Sequence, residues 1–161
     1  MNAALSLVVN GRPCTPQSDP ELMLLDLLRG ELGLMATRFG CGEGLCGACN
    51  VLADGRAVTA CNTPVWSVTG KAITTLEGLG NRDNPHPLQQ AFIDEQAMQC
   101  GYCISGIMIS AAALLAVRPE PTDGEIRSAL DANLCRCGAH NRIVRAVRRA
   151  AAAMRTGARR G

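Results

Sequence analysis

Leu5, Leu7 and Val9 fall on alternate positions and run into Asn10-Gly11, a dipeptide at ease with the positive φ of a two-residue hairpin turn. The pattern returns further on, where Val51–Ala53 and Ala57–Thr59 flank Asp54-Gly55, and Ala72–Thr75 offers one more short strand. Between the hairpins, Leu22–Arg29 is an apolar helix candidate that ends before Gly30. Residues 38–49 have neither period and are dominated by glycine and cysteine. The first half therefore predicts a small α+β unit, a sheet with one helix packed across it.

After a turn-rich stretch at residues 78–87, with two glycines, two asparagines and two prolines, the period changes to that of helices. One segment opens at Pro87 and runs through Met98. A second carries Ile104, Ile107, Met108, Ala111, Leu114 and Leu115 and stops before Pro119. Thr122 and Glu125 have capping-box spacing for a third, through Ile126, Ala129 and Leu130. Asn141 is placed to cap a fourth, through Ile143, Val144, Val147 and Ala150. Four helices on short loops predict a bundle. The expected division is residues 1–77 and 78–161, with no internal repeat.

Two units within 161 residues bury little surface each, and there are only four aromatic residues, Phe39, Trp66, Phe92 and Tyr102. Such units often rely on covalent or metal staples, and there are nine cysteines to supply them. They serve either as disulfides in an oxidising compartment or as metal ligands in a reducing one. Residues 1–10 lack a basic start, and their apolar stretch closes early on the Asn10-Gly11 turn, unlike a signal peptide. No run is long enough for a membrane span. A soluble, cytoplasmic protein with thiolate ligands is expected. The net charge of +2 gives no reason to expect nucleic acid, but eight of the sixteen basic residues follow Cys135. Arg142, Arg145, Arg148 and Arg149 on the last helix, with Arg155, Arg159 and Arg160 in the tail, read as a solvated face or a subunit contact.

Cys41-x4-Cys46-x2-Cys49 with a remote Cys61 has the spacing of a plant-type [2Fe–2S] site. Four thiolates and two sulfides carry negative charge, which backbone N–H groups must solvate. Gly40, Gly42, Gly44 and Gly47 let the loop wrap closely and aim its amides at sulfur. A structural zinc site more often joins two close pairs. Cys100-x2-Cys103 and Cys135-x-Cys137 supply four more thiolates, each pair between two predicted helices, where free N–H groups suit an anion. On spacing alone this second set also fits zinc. Neither set is a Rieske site, because His86 and His140 are the only histidines and lack the Cys-x-His pairing. Cys14 belongs to neither set and reads as a small apolar filler.

The order and spacing of "CGEGLCGAC" (Cys41 to Cys49) with Cys61, "QCGYC" (Gln99 to Cys103) and "LCRCG" (Leu134 to Gly138) resemble the iron–sulfur small subunit of the xanthine oxidase family of molybdenum hydroxylases. "TTLEGL" (Thr74 to Leu79) and "HPLQQAF" (His86 to Phe92) do so too, and the resemblance runs from about residue 5 to residue 151. It implies a ferredoxin-like β-grasp domain followed by a four-helix domain. It implies a large partner subunit with a molybdenum–pterin cofactor that hydroxylates an aldehyde or an N-heteroaromatic ring. Electrons would pass from molybdenum through the pterin to an inner [2Fe–2S] cluster on Cys100, Cys103, Cys135 and Cys137. They would go on to an outer one on Cys41, Cys46, Cys49 and Cys61, then to a flavin subunit or a cytochrome c. Gln99 resembles the family glutamine that hydrogen-bonds the pterin, and Cys137 the ligand in contact with its amino group. Ala139-His140 stands where many members have Thr-Tyr, which leans toward the two-subunit bacterial members such as the nicotinate and isoquinoline dehydrogenase small subunits, whose usual acceptor is a cytochrome.

The chain itself has no glycine pattern for NAD or nucleotide and no recognisable substrate pocket. A free-standing two-cluster ferredoxin is the competing reading, although it leaves the helical half without a role.

Overall fold

In a computed structural model that describes residues 5–158, Asn10 and Gly11 adopt φ of 50° and 76°, and Asp54 and Gly55 adopt 47° and 79°. Both dipeptides thus make the mirror-image turns whose twist matches the flanking strands. They close the hairpins β1 (Leu7–Val9) to β2 (Arg12–Cys14) and β3 (Asn50–Ala53) to β4 (Arg56–Thr59). β5 (Ala72–Thr74) joins the hairpins, parallel to β1 and antiparallel to β3, giving the order β2-β1-β5-β3-β4. This mixed sheet with a crossing helix is the expected β-grasp arrangement.

The crossing helix departs from its expected bounds. α1 (Leu24–Asp26) continues as a π-turn, Leu27–Glu31, so the coil runs through Gly30 rather than ending before it. Burial explains the extension, since Leu24, Leu25, Leu27 and Leu28 all lie inside the first core with Leu7, Val51, Val65 and Ile73. The wider turn also places Glu31 to accept from the N–H groups of Gln17 (3.0 Å) and Ser18 (3.2 Å).

After a single turn, α2 (Leu76–Leu79), come α3 (Pro87–Asp94), α4 (Ile104–Val117), α5 (Asp123–Ala129) and α6 (His140–Ala158). They enclose a second core of Leu88, Phe92, Ile107, Met108, Ile126, Ile143 and Val147. The capping box at Thr122 and Glu125 is formed as expected. α3 stops four residues short of Met98. Gln96 turns to φ 48°, its N–H donates to the Ile93 carbonyl (3.0 Å) and that of Ala97 to the Phe92 carbonyl (2.9 Å), a Schellman ending without glycine. Asn141 is not a cap. α6 begins at His140, and the Ala139 carbonyl accepts from both Arg142 and Ile143.

The basic face of α6 is used within the fold. Arg145 pairs with Glu95 (3.1 Å), Arg149 with Asp94 (2.9 Å) and Glu95, Arg148 with Asp123 (3.4 Å) and Arg155 with Glu120. The last helix is thereby fastened to the end of α3, the start of α5 and the segment before it. Arg159, Arg160 and residues 1–4 of the N-terminal reading lie outside the described residues. Among the described residues, no helix is long and apolar enough to cross a membrane.

Candidate functional site

The eight thiols of the two sets lie in loops, at helix ends or, for Cys61, in a single 3-10 turn, Ala60–Asn62, and the backbone around them is arranged about sulfur. The β3–β4 ladder ends with Asn50 opposite Thr59, and the Ala60 N–H then donates to the Cys49 carbonyl (3.2 Å). This extension of the hairpin brings Cys49 and Cys61, far apart in sequence, to the same end of the sheet, both of them buried. Residues 38–49 fold back over them. The N–H groups of Glu43 and Leu45 donate to Cys41 Sγ at 3.3 and 3.2 Å, and the Cys41 N–H donates to Cys46 Sγ at 3.3 Å. A Cβ at Gly40 would stand 2.5 Å from Cys46 Sγ, so only glycine allows so close a wrap.

The second set sits between the helix pairs. Cys103 is the N-cap of α4, and Cys100 precedes it across Gly101, whose φ is 80°. Cys135 and Cys137 lie between α5 and α6. N–H groups of Ala139, Cys137 and Gly138 point at the Cys135 sulfur, and that of Tyr102 at Cys100. Gln99 reaches across, its Nε2 donating to the Cys137 carbonyl at 3.0 Å, so the two residues that the resemblance singles out are neighbours.

The thiols fall into adjoining pairs: Cys41 with Cys46, Cys49 with Cys61, Cys100 with Cys137, and Cys103 with Cys135. Their ionisation separates by position. Amide donors, chiefly from Glu43 and Leu45, hold Cys41 down to about 6, whereas burial pushes Cys49 up to about 12. In the second set, the Tyr102 N–H and the Cys137 side chain lower Cys100, while burial and the Cys135 side chain push Cys103 up to about 12. Burial also works against Cys135, but its amide donors and the Cys103 thiol outweigh it and hold it low. Each set thus places thiols whose ionisation is favoured by amide donors beside buried thiols whose ionisation burial opposes.

Four thiolates taken in two adjoining pairs suit a two-iron cluster. Cys14 stands apart, half-buried on β2 opposite Leu7 at the edge of the first core. A cavity of about 620 Å³ lies on that side, between the first hairpin and Gly78–Asn81, and no thiol of either set lines it.

Sequence reasoning missed the links between the two sites. The Leu134 N–H donates to the Cys46 carbonyl (3.0 Å), Asn133 Nδ2 to the Gly47 carbonyl (3.3 Å), and the Tyr102 hydroxyl to the Phe39 carbonyl (2.6 Å). Asn50 Nδ2 donates to Ser110 Oγ on α4 (2.8 Å). Gly106 of α4 packs so tightly that a Cβ there would meet the Gly47 carbonyl oxygen at 1.9 Å.

Comparison with known proteins places both halves. Residues 17–98 match a family model described as a 2Fe-2S iron-sulfur cluster binding domain, and residues 75–148 match a [2Fe-2S] binding domain. The chain is 54% identical over 151 residues to a nicotinate dehydrogenase subunit of Pseudomonas putida, covering 94% of this chain and 96% of that one. It is 48% identical over 148 residues to the alpha chain of isoquinoline 1-oxidoreductase of Brevundimonas diminuta, covering 91% and 97%. The crystal structure of quinoline 2-oxidoreductase from Pseudomonas putida 86 contains a chain that superposes with a TM-score of 0.90 at 36% identity, covering 96% of this chain and 97% of that one.

Proposed function

The chain belongs to the iron–sulfur small subunits of the xanthine oxidase family of molybdenum hydroxylases, and from that membership we propose how its residues serve the role. It is an electron-transfer subunit with two [2Fe–2S] clusters, working beside a large catalytic subunit that holds the molybdenum–pterin cofactor. A free-standing ferredoxin is not favoured, because the subunit relatives match nearly all of this chain.

We assign the outer cluster to Cys41, Cys46, Cys49 and Cys61 and the inner one to Cys100, Cys103, Cys135 and Cys137, with a division of the chain near residue 77. Bound in these sets, the clusters supply one-electron chemistry. The chain's own residues hold the thiolates in pairs, solvate their charge with amide N–H groups and shield Cys49 and Cys61 from water. They also connect the sets, most directly through the hydrogen bond from Leu134, the residue before Cys135, to the carbonyl of Cys46. That bond is the observation that carries the reading, since it joins a ligand of one set to the neighbour of a ligand of the other. Gln99, braced on the Cys137 carbonyl, is the assigned contact to the partner's pterin, together with Cys137 itself.

The substrate class we propose is an N-heteroaromatic compound, with an aldehyde as the competing class, and the acceptor a cytochrome c. Support comes from the likeness to the nicotinate and isoquinoline enzymes' subunits and from Ala139-His140. A cytoplasmic location fits nine cysteines, none of them in a disulfide.

The test is anaerobic addition of nicotinate, isoquinoline or an aldehyde to the complex purified with its large subunit, followed by cytochrome c or a flavoprotein. Bleaching of the visible spectrum by a heteroaromatic compound and recovery with cytochrome c are expected. Bleaching by the aldehyde alone would reject the substrate class, and recovery with the flavoprotein alone would reject the acceptor.

A further inference from the structure

Arg38 stands three residues before Cys41, and Tyr102 lies between Cys100 and Cys103. The Arg38 guanidinium lies over the Tyr102 ring, 5.8 Å from its centre, and the Tyr102 hydroxyl donates to the carbonyl of Phe39, the residue after Arg38. One charged side chain is therefore fixed where the two cluster loops meet. The other arginines in ion pairs face carboxylates: Arg118 meets Glu125, and Arg145, Arg148, Arg149 and Arg155 meet acids around α6. Among the described residues, Arg38 makes no ion pair and its side chain no hydrogen bond. Its main-chain N–H instead approaches the Ala48 carbonyl at 3.4 Å, which ties it to the cysteine loop.

A bare cation on an aromatic face is ordinarily a weak surface contact. Its surroundings here are different, because one neighbouring loop carries Cys41, Cys46 and Cys49 and the other Cys100 and Cys103. Reduction adds one negative charge to a site that is already anionic, and a nearby positive charge stabilises the reduced form more than the oxidised one. We propose that Arg38, held in place by the Tyr102 ring, is a positioning residue for electron transfer that raises the reduction potentials of both clusters, the outer more than the inner. The Tyr102 hydroxyl keeps the ring in register with the outer loop, and the ring keeps the charge between the two sets. The proposal rests on the ligand assignment above.

The experiment is a redox titration of the complex with its large subunit, followed by electron-spin resonance so that each cluster is read separately, with iron counted in every sample. In Arg38→Met the outer cluster is expected to be about tenfold less reduced at a fixed ambient potential, equal to about 59 mV for a one-electron couple. The inner cluster shifts the same way by less, and Arg38→Lys keeps most of the wild-type value. Tyr102→Leu frees the arginine and moves both potentials in the same direction. Adding Arg38→Met to it produces little more, since the two residues act as one device. Tyr102→Phe keeps the ring and so most of the potential. Unchanged potentials in Arg38→Met and Tyr102→Leu, with full iron and two signals, would overturn the proposal and leave the ligand sets standing. Absence of two signals from the wild-type complex would instead overturn the ligand sets.

Discussion

Gln99 and Cys14 show how differently single polar atoms weigh in this chain. Gln99 is exposed and spends one N–H on the Cys137 carbonyl, leaving its other N–H and its carbonyl oxygen free. As a surface bond it contributes little to folding, and Gln99→Ala should change stability by no more than about 0.5 kcal/mol. If the side chain meets the pterin of the partner, its loss leaves a polar group unpaired at a closed interface, at about 1–3 kcal/mol. The expected result is full iron with lower molybdenum content or slower cluster reduction in a rapid-mixing experiment. Normal molybdenum and normal rates would remove Gln99 from the interface. Cys14 carries no such consequence. Burial, then the charge of Glu31, raises its thiol above the ordinary range, which disfavours the thiolate. Cys14→Ser should keep the iron count and both spin signals. Loss of iron in that variant would show that a ligand has been misassigned.

At the scale of elements, α4 decides how the halves meet. Its core-facing residues, Ile104, Ile107, Met108, Ala111 and Leu115, lie in the second core, while Gly106 and Ser110 face the first half. No hydrophobic period reveals the second role, because it depends on two glycines 59 residues apart, Gly47 and Gly106. The hairpins were readable because Asn10-Gly11 and Asp54-Gly55 dictate their turns through local backbone energetics. The end of α3 was not, since Gln96 takes a conformation that sequence rules reserve for glycine or asparagine. Spacing groups eight of the cysteines into two sets, the second of which also fits zinc on spacing alone, and it gives no sign of the bonds that tie the two loops together, because Leu134, Asn133 and Tyr102 act through main-chain carbonyls that any residue supplies. Gly106→Ala tests the packing. The added methyl meets backbone, which cannot swing aside, so the variant should lose at least the ~1–3 kcal/mol typical of overpacking. The matched control is Gly157→Ala on α6, where nothing lies within 4 Å and a helix favours alanine by up to ~1 kcal/mol. Thermal unfolding of the two should move in opposite directions, and equal midpoints would refute the packing account.

Across the whole molecule the two cluster sites behave as one braced unit. The carbonyls of Cys46 and Gly47 accept from Leu134 and Asn133, so residues of the outer loop support the strand of chain that carries Cys135 and Cys137. Metal binding at such loops is coupled to their folding, because the thiolates repel one another without the ion. Cys61→Ser removes one of the ligands assigned to the outer set and leaves the inner set whole. Iron should fall from about four to about two per chain, as expected of two two-iron clusters, and one spin signal should survive. The brace adds a consequence that independent domains would lack. With the outer loop loosened, amide exchange should rise at residues 38–49 and also at residues 132–137, while the end of α3 and the middle of α6, held together by the Arg145–Glu95 and Arg149–Asp94 pairs, stay protected. The surviving cluster should be reduced more slowly by the large subunit, because Gln99 rests on the Cys137 carbonyl within the loosened segment. Exchange confined to residues 38–49, with inner-cluster reduction at the wild-type rate, would mean that the loops share a boundary without supporting each other.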